Sequence, residues 1–171
     1  MKIKIDRLKE GDNYVTFEQD EVTSLQIADY ETLSGSELTL TVIKNDSYLH
    51  ITGSNNITVK EYCDRCGNEY EPTIEIEIDY VFHLGDEKRG SSDNLEIIRP
   101  KENDGYLIFD QYYIETFYLS LPHKKLCSHN CKGLCSQCGK NLNTGSCKCN
   151  EEETIDPRWA KLAELVKKTK K

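Results

Sequence analysis

The sequence twice sets two cysteines three residues apart with a glycine directly after them: Cys63-Asp64-Arg65-Cys66-Gly67 and Cys135-Ser136-Gln137-Cys138-Gly139. Cys127, Cys131, Cys147 and Cys149 stand around the second motif, which makes eight cysteines in 171 residues. Thiolates are soft, charged ligands, and a pair at this spacing turns both sulfurs toward one ion when the backbone makes a tight turn. Glycine after the second cysteine relieves that turn, because it takes positive φ without steric cost. Eight thiols divide into two complete sets of four, the closed coordination of structural zinc. Two Zn2+ ions held by these eight residues are therefore the leading expectation.

Other thiol chemistry fits less well. The N-terminus, Met1-Lys2-Ile3-Lys4-Ile5-Asp6, alternates charge with isoleucine and has no apolar leader stretch. A cytoplasmic location is expected, where thiols stay reduced and disulfides are rare. A thioredoxin-like CxxC needs a βαβ setting, whereas Cys63 and Cys66 fall in a region of antiparallel β character. Iron–sulfur clusters also use four thiolates, and spacing alone does not separate them from zinc. Catalytic zinc keeps an open position and usually takes histidine or carboxylate ligands. Of the four histidines, His50 and His83 fall in expected strands, and His129 reads as a solvated loop residue.

Two partitions of the cysteines are open. One joins Cys63 and Cys66 to Cys127 and Cys131, and leaves Cys135, Cys138, Cys147 and Cys149 as a local site. The other pairs the two CxxCG knuckles and groups Cys127, Cys131, Cys147 and Cys149. The first is favoured, because a site made within fifteen residues closes without long-range ordering.

The elements that position these groups read as α+β: an antiparallel sheet as the N-terminal body, two helices, and a cysteine-rich C-terminal segment. Leu38, Leu40 and Val42 alternate with polar residues. Tyr48, Leu49 and Ile51 follow a turn at Asn45-Asp46-Ser47, and Gly53-Ser54-Asn55-Asn56 reads as the next break. Ile57 and Val59 lead to the first cysteine pair. From Glu71 to Phe82 the period of two is clear, with Ile74, Ile76, Ile78, Tyr80 and Phe82 on one face. Shorter strands are expected near Lys2–Ile5 and Tyr14–Phe17, while Ser24 to Ser34 has no assignment. Residues 85–105 read as a mobile connection with a short strand at Leu95–Ile98. Tyr106 to Leu121 is spaced as a helix, centred on 108–121 and stopped by Pro122. A terminal helix starts at Asp156-Pro157 and carries a Trp159, Leu162, Ala163, Val166 stripe. The expected organisation is thus a β-rich body over 1–122, and a zinc-knuckle segment with a terminal helix packed on the body over 123–171.

The string Leu121-Pro122, Leu126-Cys127, and Cys131-Lys132-Gly133-Leu134-Cys135-Ser136-Gln137-Cys138-Gly139-Lys140-Asn141-Leu142-Asn143 is distinctive. With the upstream CDRCG, Cys147-Lys148-Cys149 and Asp156-Pro157-Arg158-Trp159, it resembles the bacterial YceD family (DUF177), the large ribosomal RNA accumulation proteins. The first fifty residues match only in general β character. The resemblance implies a role in 23S ribosomal RNA accumulation and large-subunit assembly, with no catalytic residues attached. Members without the C-terminal knuckle keep the upstream CxxC and a Cys/His pair after the Leu-Pro. That pattern supports the first partition.

Charge bears on the partner. The formal net charge is −8, yet residues 123–171 hold eleven Lys and Arg against five Asp and Glu. Lys124, Lys125, Lys132, Lys140 and Lys148 lie among the thiols and are candidates for phosphate contacts. Two filled sites would bring this segment from +6 to about +3, which weakens basicity as an argument for RNA. An acidic body can equally bind a basic ribosomal protein, so ribosomal RNA, a ribosomal protein, or both are the expected partners. No membrane and no small-molecule substrate is implied. With no phosphate-cradling loop, HExxH or nucleophile elbow, an enzyme is not expected. The alternative is a redox-responsive zinc-thiolate protein whose cysteines oxidise and release metal.

Overall fold

The computed structural model describes residues 1–46, 48–84, 97–98, 102–103 and 105–149. The chain divides into two units, Met1–Cys131 and Lys132–Lys171. The first therefore includes residues 123–131, which the sequence reading groups with the C-terminal segment. Most of the expected connection at 85–105, and the whole terminal helix, lie outside the described residues.

In chain order the first elements are β1 (Lys2–Lys4), a 3-10 turn (Ile5–Arg7), β2 (Gly11–Phe17), α1 (Gln19–Thr23) and β3 (Glu31–Gly35). Then come β4 (Leu38–Asn45), β5 (Tyr48–Tyr62), β6 (Glu69–Tyr70), β7 (Thr73–His83) and β8 (Ile97–Ile98). The last are β9 (Glu102–Asn103), β10 (Tyr106–Ile108) and α2 (Asp110–Ser120). The architecture is α+β and mostly antiparallel: a large sheet in the order β2-β4-β5-β7-β8 and a small one in the order β1-β10-β9.

β5 organises the large sheet. Its first half pairs with β4 and its next residues with β3 along the same edge. β7 runs along the other edge from Tyr48 to Thr58, and β6 pairs at Glu61–Tyr62. The expected break at Gly53–Asn56 is absent, and the strand runs on for 15 residues. A Cβ at Gly53 would lie 2.8 Å from both the Thr39 carbonyl and the Leu40 side chain. The glycine thus permits close approach of β4 instead of marking a turn.

One face of the large sheet is the core. Leu38, Leu40, Val42, Leu49, Ile51, Ile57, Val59, Ile76 and Phe82 are buried, as the period of two requires. α2 covers this face with Tyr112, Tyr113, Thr116 and Phe117, a helical i, i+1, i+4, i+5 set preceded by buried Phe109. Tyr113 Oη donates to Asn55 Oδ1 at 3.1 Å, which satisfies a polar group on the buried side of β5. Tyr106 to Ile108 were expected to be helical. They form β10 instead, because pairing with β1 and β9 satisfies their backbone groups. No helix among the described residues is long and apolar enough to cross a membrane.

Candidate metal centre

Odd-numbered residues of β5 from Leu49 onward point into the core, and that parity continues through Glu61 to Cys63, which is buried. The strand thus delivers the first thiol at the end of its inner face. The chain then turns tightly. Cys63 N–H donates to the Asn68 carbonyl at 2.9 Å, and Gly67 N–H donates to the Cys63 carbonyl at 2.8 Å. Gly67 has φ 67°, the left-handed region in which a side chain is strained. Cys66 is placed beside Cys63 by this turn.

Residues 124–127 are tied to the knuckle by a reciprocal pair of bonds. Asp64 N–H donates to the Lys125 carbonyl at 2.8 Å. Lys125 N–H donates to Asp64 Oδ2, also at 2.8 Å. Lys125 Nζ reaches inward to Glu61 Oε1 at 3.0 Å and Tyr30 Oη at 2.8 Å. Arg65 Nη1 donates to the Cys131 carbonyl at 3.0 Å. These contacts bring Cys127 and Cys131 to the CxxC pair from more than sixty residues away in sequence. Tyr70 and Leu126 pack against the resulting cluster.

The second knuckle repeats the first within its own unit. Cys135 N–H donates to the Lys140 carbonyl at 2.8 Å, and Gly139 N–H donates to the Cys135 carbonyl at 2.9 Å. Leu134 bridges Asn141 in antiparallel fashion, and Leu142 N–H donates to the Gly133 carbonyl at 2.9 Å. Cys147 and Cys149 complete the set.

The eight cysteines thus come together as Cys63, Cys66, Cys127 and Cys131, and as Cys135, Cys138, Cys147 and Cys149, with the sulfurs of each set within 4.8 Å of one another. This is the first of the two partitions. Cys63 and Cys131 Sγ are 3.8 Å apart, Cys66 and Cys127 3.7 Å, and Cys135 and Cys147 3.4 Å. Metal–sulfur bonds of ~2.3 Å in a tetrahedron place sulfurs about 3.8 Å apart, whereas a disulfide requires ~2.05 Å. Both sets therefore have the dimensions of a four-thiolate site for a single ion. No histidine or carboxylate among the described residues joins either set, and His129 is exposed.

The electrostatics of the thiols agree. Backbone N–H groups, first that of Cys127, draw the Cys63 thiol down to about 6. Desolvation, and then the neighbouring Cys63, push Cys127 up to about 12. Cys135 is drawn down to about 6 by the N–H groups of Cys138 and Gln137. Cys149 is pushed up to about 12 by Cys138 and by desolvation. One thiolate forms readily in each set, and a neighbour resists adding a second charge. A divalent cation removes that repulsion and lets all four ionise.

Of the lysines singled out in the sequence, Lys125 is engaged by Glu61 and Tyr30, and Lys140 Nζ donates to the Ser146 carbonyl at 2.8 Å. Neither points freely at a ligand. Sequence reasoning missed Glu61, Asp64 and Arg65 as positioning residues. Only their closeness to the CxxC motif hinted at such a role, because their partners are distant in sequence.

A family model described as large ribosomal RNA subunit accumulation protein YceD matches residues 51–166, a stretch that contains all eight cysteines. An uncharacterized protein of Mycobacterium tuberculosis is 28% identical over 116 residues, covering 68% of this chain and 55% of its own length. The chloroplastic large ribosomal RNA subunit accumulation protein YCED homolog 1 of Arabidopsis thaliana is 24% identical over 156 residues, covering 74% of this chain and 47% of its own length. The chain spans about half the length of these curated relatives. No solved structure matches it.

Proposed function

The chain belongs to the YceD family of large ribosomal RNA subunit accumulation proteins, and from that premise we propose that it is a cytoplasmic, non-enzymatic ribosome biogenesis factor. It supports 23S ribosomal RNA accumulation and large-subunit assembly by binding ribosomal RNA, a ribosomal protein, or both. Two Zn2+ ions, one in each cysteine set, organise it. The observation that carries this reading is the pair of closed four-thiol sets inside the family-matched stretch. Closed sulfur sites of this size suit zinc in a structural role. An iron–sulfur cluster places several metal atoms between its thiolates and needs them farther apart than these sulfurs are. When bound, the ion neutralises thiolate charge and fixes the fold around it. Cys63, Cys66, Cys127 and Cys131 would then clamp residues 124–131 onto the end of β5.

Crosslinking in cells followed by identification of RNA and protein tests the role. Recovery of 23S ribosomal RNA or a large-subunit protein is expected. Recovery of neither contradicts it.

The exposure of Cys127 and Cys138, one residue in each set, favours a second reading in which oxidants reach the thiolates and release metal. Metal retained under modest peroxide sinks that alternative.

A further inference from the structure

The described residues hold a second feature far from the thiols in sequence. A groove of about 480 Å³ runs between the N-terminal segment and β2, lined by Lys2, Lys4, Arg7, Lys9, Tyr14 and Asp12 among others. Its basic character follows from strand alternation. Ile3 and Ile5 are buried, so Lys2 and Lys4 share the outward face of β1. Lys4 Nζ lies 5.5 Å from the centre of the Tyr106 ring. The 3-10 turn then presents Arg7, and Lys9 follows buried Leu8. None of the four basic side chains is ion-paired among the described residues. Among the described residues, Asp12 is the single acidic residue lining the groove, against four cations. Residues 1–122 as a whole hold eleven Lys and Arg against twenty-five Asp and Glu. Residues 1–12 hold four of those eleven cations against three acids, Asp6, Glu10 and Asp12, and of these acids only Asp12 lines the groove beside the four cations. A local positive field on an acidic body marks a site for a polyanion. Tyr14 stands on β2 at 73% exposure, an aromatic face that no packing requirement explains. Cations along a groove with an exposed aromatic ring are what a single-stranded nucleic acid needs: the cations track phosphates and the ring stacks a base.

We infer that the groove of Lys2, Lys4, Arg7 and Lys9 with Tyr14 binds the phosphodiester backbone of single-stranded RNA, with one base stacked on Tyr14. The choice of RNA over DNA rests on the ribosomal reading above. The groove lies outside the family-matched residues 51–166, so the family's description does not assign it. It also moves the RNA contact away from the C-terminal lysines, two of which are held by internal bonds.

The test is fluorescence anisotropy of the zinc-loaded full chain with a labelled single-stranded RNA of about 20 nucleotides. Four phosphate contacts give log K against log salt a slope of about −3, an affinity loss of roughly 50-fold between 50 and 200 mM salt. Lys2→Gln, Arg7→Gln and Lys9→Gln together should lower the slope to about −0.7 and the low-salt affinity by more than about 10-fold. Tyr14→Ala should lower affinity at least about 5-fold with the slope unchanged. Metal content and melting temperature should match wild type in each variant, since these side chains are exposed. Wild-type binding by the triple variant overturns the inference. So does loss of binding on replacing Lys124, Lys132 and Lys148 instead, or equal binding of poly-glutamate that ignores Tyr14→Ala. If the chain binds no RNA yet cells lacking it lose 23S ribosomal RNA, the groove assignment falls and the biogenesis role stands.

Discussion

Lys125→Met isolates the contact that holds residues 124–127 against the sheet. Methionine keeps much of the stem beside Tyr30 but removes the charge. Glu61, 8% exposed, then loses its ion-pair partner at 3.0 Å, and Tyr30 loses its donor at 2.8 Å. Breaking a fully buried pair from one side costs about 3–5 kcal/mol, because the remaining charge is stranded. The Lys125 side chain is 34% exposed, so water screens part of the pair, and about 2–3 kcal/mol is the expected loss. For a unit of this size that corresponds to a fall of roughly 6–9 °C in melting temperature. Adding Glu61→Gln should recover about 1 kcal/mol or more, since no charge is then left buried. Urea unfolding of the zinc-loaded chain, followed by circular dichroism, measures both changes. A Lys125→Met variant within about 0.5 kcal/mol of wild type would mean that the buried Glu61 charge does not depend on Lys125, and a double variant less stable than the single would mean the same.

Three further outcomes follow from the packing. Gly53→Ala should destabilise the sheet by about 1–3 kcal/mol in the same assay, because the new Cβ meets the β4 backbone at 2.8 Å. Burial lifts the Tyr113 hydroxyl to about 12. A raised folded value gives stability that is full below the unfolded value of ~10 and is lost as pH rises from there toward 12, so Tyr113→Phe should flatten that alkaline loss by about 1–2 kcal/mol. Chelation should abolish order in residues 132–149 before it melts the large sheet, seen as selective loss of those amide resonances. The buried apolar clusters among the described residues lie in Met1–Cys131, so the second unit's described part has little besides its turns and thiols to hold it.

Legibility in the sequence tracked locality. β4 and β7 are readable from the period of two, since each buries one face and exposes the other. The sequence leaves two partitions of the cysteines open and favours one on locality: Cys135, Cys138, Cys147 and Cys149 fall within fifteen residues, whereas Cys63, Cys66, Cys127 and Cys131 meet only through the fold. The continuity of β5 is not readable: Gly53 and two asparagines imitate a turn, and only the nearness of β4 shows that the glycine makes room. Tyr106–Ile108 are spaced like the helix that follows, yet β1, about a hundred residues earlier, captures them. The Lys125–Glu61–Tyr30 contact joins three distant segments, so no local pattern announces it. In the sequence the N-terminus shows only charge alternating with isoleucine; the groove needs β2, which supplies its second wall.

Native mass spectrometry of the intact chain counts the ions that the two four-thiol sets hold. Two zinc ions per chain are expected, falling to one when Cys135→Ser and Cys138→Ser are combined, with the sheet still folded. Unchanged metal content in that variant, or loss of both ions together, contradicts the assignment of two independent four-thiolate sites.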